Sequence, residues 1–148
     1  MTDVAVDGPK GIGGWLVLPA IGVVLVPLLL IPTVADNIGV LRGGELTPEW
    51  SALRTAVIGQ TALLVAFLAF ALLIAMFFFM KRAFVPRLMV AYLIATWALS
   101  LVLAGWTSSV LGAWPADSAV SIAAAGVSSL VWGRYFLVSR RVRNTFVT

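Results

Sequence analysis

Charged residues are rare along this chain, and they leave four long intervals that contain none. These intervals cover residues 11–35, 55–80, 88–116 and 118–133 and are 25, 26, 29 and 16 residues long. A helix needs about 20 predominantly apolar residues to cross the hydrocarbon core of a bilayer. The pattern therefore predicts an all-α, polytopic membrane protein with four transmembrane helices. We place these spans at residues 12–33, 54–80, 88–106 and 118–138, within a single membrane domain of residues 1–148.

Prolines and glycines mark where the first span and its connection are expected to lose regular structure. Three prolines lie in span one, namely Pro19, Pro27 and Pro32. Because a proline inside a helix removes a backbone donor and crowds the preceding turn, we predict a bend or local unwinding within residues 15–27 and a helix end near Pro32. Residues 35–54 then form the longest polar connection. Its turns are expected at three glycines, Gly39, Gly43 and Gly44.

The second helix has a recognisable start at residues 47–50, with the sequence Thr-Pro-Glu-Trp. Threonine is a good N-cap, proline suits the first helical position, and glutamate favours the first turn. Two arrangements are compatible with this start. The helix lies on the membrane surface before span two, or it runs straight into that span. The two remaining connections, residues 81–87 and 107–117, are short.

Basic residues are distributed unequally between the two sides of the membrane. Because the number of predicted spans is even, both chain ends and the 81–87 connection lie on the same side. Eight basic residues belong to this side: Lys10, Lys81, Arg82, Arg87, Arg134, Arg140, Arg141 and Arg143. The other side has Arg42 and Arg54. Because lysine and arginine accumulate on the cytoplasmic side of membrane proteins, we predict that both termini are cytoplasmic.

Composition excludes several classes of protein. The chain is 61% hydrophobic and 11% charged, whereas soluble domains carry about 25% charged residues, so we exclude a soluble enzyme and a disordered chain. Cysteine and histidine are absent, which removes disulfides, thiolate nucleophiles and the usual zinc and haem ligands. The net charge of +4 comes from residues at span ends, so we expect no nucleic-acid partner.

Ionisable side chains inside a membrane are the usual indicators of a functional site. All six carboxylates of this chain are expected outside the spans. We therefore predict no catalytic residue, no cofactor and no metal site.

Four arginines near the end of span four are candidates for contact with anionic lipid: Arg134, Arg140, Arg141 and Arg143. Clusters of basic residues beside a span attract anionic headgroups. The alternative is that Arg134 only extends its side chain to the interface and anchors the topology.

Span four also contains small residues at four-residue spacing, and these are Ser121, Ala125, Ser129 and Gly133. Small residues at this spacing let helix backbones approach closely within a membrane. The stripe is expected to pack against another helix. That helix belongs to the same chain in one interpretation, and to a second copy or a partner protein in the other.

Three stretches of the chain contain distinctive combinations of aromatic, glycine and basic residues. The first, residues 13–16, reads Gly-Gly-Trp-Leu, and the second runs from the three phenylalanines at 77–79 to Lys81 and Arg82. The third lies at the end, with Tyr135-Phe136, Ser139, Arg141-Val142 and Thr145-Phe146. Together, these stretches resemble the family of bacterial membrane proteins catalogued as domain of unknown function 2569. Members of this family often have proline where this chain has Arg134. The resemblance implies four spans and an inner-membrane location, and it implies no activity.

These observations predict a non-enzymatic protein of the bacterial inner membrane that acts through interaction, as an accessory or scaffold protein. A small oligomeric transporter or a lipid-handling protein is the alternative. The expected partners are the lipid bilayer, anionic lipids, and a membrane protein or a second copy of the chain.

Overall fold

The computed structural model describes Gly8 and residues 10–43, 48–112 and 118–147. Within these ranges the chain forms no strand, and it begins with a 3₁₀ turn at Gly14–Leu16. The helices that follow are α1 (Val17–Gly43), α2 (Pro48–Phe79), α3 (Val85–Leu111), α4 (Ser118–Val138) and α5 (Arg140–Thr145). The first four are long and apolar enough to cross a membrane. The predicted all-α architecture with four spans is therefore confirmed.

Helix α1 is longer than predicted. It continues through Pro27 and Pro32 to Gly43, so the predicted helix end near Pro32 and the predicted turn at Gly39 are wrong. Membrane helices tolerate proline because local adjustments and neighbouring groups satisfy the freed carbonyls. Pro19 is the third residue of α1, where the backbone N–H has no partner within the helix in any case. It therefore costs no helical hydrogen bond, contrary to expectation.

The extension of α1 places Asp36 on a helix and not in a loop, which corrects the expected position of that carboxylate. A helix of 27 residues is about 40 Å long, whereas the hydrocarbon core is about 30 Å thick. The helix is therefore long enough to carry Asp36 beyond the hydrocarbon layer.

Two connections are shorter than the sequence predicts. Helix α2 begins at Pro48 and continues without interruption to Phe79. Of the two arrangements considered, the helix therefore runs straight into span two. Helix α3 continues to Leu111, past the predicted end at residue 106, and stops at Gly112, whose φ of 70° suits a glycine. Residues 44–47 and 113–117, where further turns were expected, lie outside the described part of the chain.

Successive long helices are antiparallel, and each packs against the next along the chain. We call the end that carries the 3₁₀ turn, residues 80–84 and α5 the tail end, and the opposite end the loop end. The fully buried large side chains lie near the tail end: Leu16, Val23, Ile74, Phe78, Val85, Met89, Phe136 and Val142. The core is therefore concentrated at the end that holds both described chain ends.

Candidate functional site

The last helix packs against the beginning of the chain, in an arrangement that we call the tail clasp, formed by residues 11–16 and 139–146. Ser139 caps α5, because its Oγ accepts a hydrogen bond from the Val142 backbone N–H at 3.5 Å. Val142, Thr145 and Phe146 are buried, whereas Arg140 and Arg143 are exposed. The short helix thus has an inner and an outer face, which the sequence analysis did not predict.

Hydrogen bonds and aromatic packing hold the tail clasp together. Thr145 Oγ1 donates to the Arg141 carbonyl oxygen at 2.7 Å and lies 3.3 Å from the Gly11 carbonyl oxygen. The Phe146 ring meets the Phe78 ring edge to face, with centroids 5.3 Å apart. These contacts connect the chain's end to its beginning and to α2.

Arg141, one of the four arginines predicted to contact anionic lipid, lies in the tail clasp. A Cβ atom added to Gly13 would lie 2.9 Å from Arg141 Nη1, and one added to Gly14 would lie 3.0 Å away. Gly14 also has a φ of 55°, which side chains rarely adopt. The guanidinium therefore lies directly over two residues whose lack of side chains makes room for it.

The seam between α3 and α4 is the most extensive helix contact of the described structure. Ser129 Oγ lies 3.0 Å from the Leu93 carbonyl oxygen on α3 and 2.8 Å from the Ala125 carbonyl oxygen on its own helix. A Cβ atom added to Gly126 would lie 3.0 Å from Trp97 Nε1. Small residues thus bring these two helices together within one chain.

The members of the small-residue stripe occupy different positions. Ala125 and Ser129 lie at the seam, and Gly133 is buried. A Cβ atom added to Gly133 would nevertheless meet no atom within 4 Å, so this glycine borders open space and not a close backbone contact. Ser121 is exposed, and its Oγ donates to the Ser118 carbonyl oxygen of the same helix.

The open space beside Gly133 is a groove of about 760 Å³ between α3 and α4. We call it the α3–α4 groove. Its lining residues are Val90, Ile94, Trp97, Gly126, Ser129, Leu130, Gly133, Arg134, Leu137 and Val138. All but Ser129 and Arg134 are apolar or glycine. The groove is therefore suited to an apolar occupant, and Arg134 supplies the only formal charge in its lining.

Arg134 lies where the α3–α4 groove adjoins a second, shallower depression of about 410 Å³. That depression is lined by Val131, Tyr135, Val138 and Ser139 in addition to Arg134. The Arg134 side chain is exposed, and it has no hydrogen bond or ion pair within the described ranges. Its guanidinium is therefore available to an anion from outside the chain.

Two close contacts between a glycine and a tryptophan were not predicted from the sequence. A Cβ atom added to Gly59 on α2 would lie 2.7 Å from the Trp106 ring on α3, and Gly126 meets Trp97 in a similar way. The sequence feature that could have indicated such a contact is a single glycine within an apolar helix. Within the described residues, no three His, Cys, Asp or Glu side chains come together, and we assign no metal ligand.

Four long apolar helices whose outer surfaces are largely exposed in the isolated chain define a multi-pass membrane protein. The chain belongs to the family described as "Protein of unknown function (DUF2569)", which it matches over residues 9–147. Two of the stretches that carry the resemblance, residues 13–16 and 141–146, meet in the tail clasp. No curated protein and no solved structure matches the chain.

Proposed function

We propose that this chain is a non-enzymatic protein of the bacterial inner membrane that acts by binding other membrane components, as an accessory or scaffold protein. The observation that supports this proposal is the α3–α4 groove. Of the four spans, the one on α4 is the least buried. Only 11% of the residues in its apolar segment are buried, compared with 28% for the span on α2. Helix α4, which forms one wall of the groove, therefore carries the least buried of the four spans.

Native mass spectrometry after extraction in a mild detergent tests this proposal. A co-purified membrane protein that is lost when Leu130 is replaced by Trp would support an accessory role, because Leu130 lines the groove and is 77% exposed. The matched control is Leu28→Trp, at a position on α1 that is 57% exposed and lies outside the groove. Equal recovery of the partner with both variants would contradict binding at this face.

A second candidate function is lipid handling or transport by a small oligomer. The charge of Arg134 at one end of an otherwise apolar groove favours this candidate, because a phospholipid combines an apolar chain with an anionic headgroup. A discrete homo-oligomer that carries bound lipid, with no protein partner, would favour it in the same measurement.

We further propose that both termini face the cytoplasm. The excess of basic residues on the side of the chain ends supports this orientation. A reporter fused after residue 148 is expected to be active only in its cytoplasmic form. Activity of a phosphatase fusion that requires the periplasm would overturn the orientation.

A further inference from the structure

We infer that the α3–α4 groove holds one acyl chain of an anionic phospholipid, with the lipid phosphate at Arg134. This inference rests on the proposed binding role of the groove and specifies its occupant. Three properties of the groove favour such a lipid, namely its length, its depth in the membrane and its charge. The symmetry of a dimer disfavours a second copy of the chain in the same place.

The groove has the length of one membrane leaflet. Its lining on α4 extends from Gly126 to Val138, a distance of about 18 Å at 1.5 Å per residue. One leaflet contributes about 15 Å, half of the hydrocarbon core of about 30 Å. An acyl chain that enters from the interface can therefore lie along the whole groove.

The charged end of the groove lies at the depth of lipid headgroups. Helix α4 has 21 residues and is therefore about 31 Å long, which equals the thickness of the hydrocarbon core. Arg134 is one helical turn before its end at Val138, and the polar helix α5 follows at once. A long arginine side chain at this position reaches the interface while its methylene groups stay in the apolar layer.

The charges around this end favour an anion. Arg134 has no ion-pair partner within the described ranges, and the described carboxylate on α1, Asp36, lies near the loop end. Arg87 is three residues before the groove residue Val90 and thus lies on the same side of α3. Neither α3 nor α4 has a described carboxylate, so a phosphate at Arg134 would meet no opposing negative charge from the two helices that form the groove.

A second copy of the chain is a poorer occupant. In a dimer with a two-fold axis along the membrane normal, both subunits present the same surface at the same depth. Two Arg134 side chains would then approach each other at the same depth of the interface, where their like charges repel. The phospholipid brings the opposite charge.

Native mass spectrometry with two defined lipids in mild detergent tests the inference, using dioleoyl phosphatidylglycerol as the anionic lipid and dioleoyl phosphatidylcholine as the zwitterionic one. We expect the wild-type chain to retain one phosphatidylglycerol with about fivefold higher affinity than phosphatidylcholine, since one cation near the surface contributes about this factor. Arg134→Gln is expected to abolish the preference. Arg82→Gln, at an exposed position in the α2–α3 connection, is expected to keep it.

A second pair of variants tests the apolar part of the groove. Gly133→Leu extends a side chain into the groove from a position where a Cβ atom meets nothing within 4 Å, and it is expected to weaken binding of both lipids at least fivefold. Gly22→Leu is the matched control, because a Cβ atom at Gly22 also meets nothing within 4 Å and this residue lies outside the groove. Circular dichroism melting curves establish that the variants remain folded.

The possible outcomes separate this inference from the proposed function. An Arg134→Gln protein that still prefers phosphatidylglycerol would overturn the lipid assignment, as would equal effects of Gly133→Leu and Gly22→Leu. If Gly133→Leu instead disrupts a homo-oligomer or a protein complex and leaves lipid binding unchanged, the inference fails and the proposed binding role stands. If the variants change no binding of any kind, both fail.

Discussion

The two ends of the helix bundle are held together in different ways. At the tail end, large apolar side chains such as Phe78, Phe136 and Leu16 are almost completely buried. At the loop end, the close contacts are made by a glycine against a tryptophan, as between Gly59 and Trp106. The tail end is therefore packed like the core of a soluble protein, and the loop end like a pair of membrane helices.

This difference has a physical origin. The tail end has a short connection between α2 and α3 and an additional helix, α5, which is followed by Phe146 packed against Phe78 of α2. Lipid tails are as apolar as leucine, so helices inside the bilayer gain little from apolar burial and rely on close approach and hydrogen bonds. At the tail end, by contrast, side chains can be buried against segments that lie outside the membrane.

The largest effect is expected from Phe78→Ala. Phe78 has no exposed surface and contacts the rings of Phe79 and Phe146. Truncation of a buried phenylalanine costs about 3–5 kcal/mol because it removes contacts and leaves a cavity. The free energy of unfolding in detergent micelles measures this loss. Phe79→Ala, at a neighbouring position that is 50% exposed, should cost much less, and equal losses would show that the tail end is not a packed core.

A smaller effect, at the loop end, is expected from Gly59→Leu. The added side chain would collide with the Trp106 ring, to which a Cβ atom would already be 2.7 Å distant. Overpacking of this kind typically costs about 1–3 kcal/mol. The control is Gly105→Leu, where a Cβ atom meets nothing within 4 Å. If the melting temperatures of the two variants in detergent are the same, glycine–tryptophan packing does not hold the loop end.

The α3–α4 seam runs between the tail end and the loop end, and Ser129→Leu tests how it is held together. This change removes the hydrogen bond to the Leu93 carbonyl oxygen and inserts a branched side chain into the seam, for a loss of about 1–3 kcal/mol. Because the contact lies within one chain, thermal stability should fall while the molar mass from light scattering stays constant. Ser128→Leu, at an exposed neighbouring position, is the control. A smaller species for Ser129→Leu would place the contact between chains.

The smallest effect is expected from Thr145→Val in the tail clasp. The side chain keeps its shape but loses the hydroxyl that lies close to the Arg141 and Gly11 carbonyl oxygens, at a cost of about 1 kcal/mol. Amide hydrogen exchange of α5 should become faster, since the helix opens more often. Thr55→Val is the control, because Thr55 is exposed and bonds only to the Ser51 carbonyl oxygen of its own helix. Unchanged exchange in α5 would mean that the hydroxyl does not hold the clasp.

The sequence predicts the spans best where charged residues bound an apolar interval. Helix α4 has the bounds that the pattern predicts, residues 118–138, and the span on α2 differs from its prediction by one residue at each end. The prediction fails for α1, because prolines and glycines that break helices in water are tolerated in a membrane. Local pattern is thus informative about where helices lie and less informative about where they end.

The candidate site was only partly accessible from the sequence. Arg134 was identified because a charged residue is unusual in a span, and the small residues of α4 were identified by their four-residue spacing. The role of Arg141 was not, because it depends on Gly13 and Gly14, which are more than 120 residues away in the chain. Contacts over such a separation leave no periodic pattern in the sequence, and the groove likewise arises only when α3 and α4 pack together.

The tail clasp also bears on how the molecule is made. The hydroxyl of Thr145 and the carbonyl of Gly11 are separated by 134 positions, so Gly11 is synthesised well before its partner. A chain is synthesised from its N terminus at about 5–20 residues per second, and the contact can form only when all four helices have been inserted. The clasp is therefore a late contact of synthesis, and a nascent chain without residues 139–146 lacks the Phe146 ring that packs against Phe78.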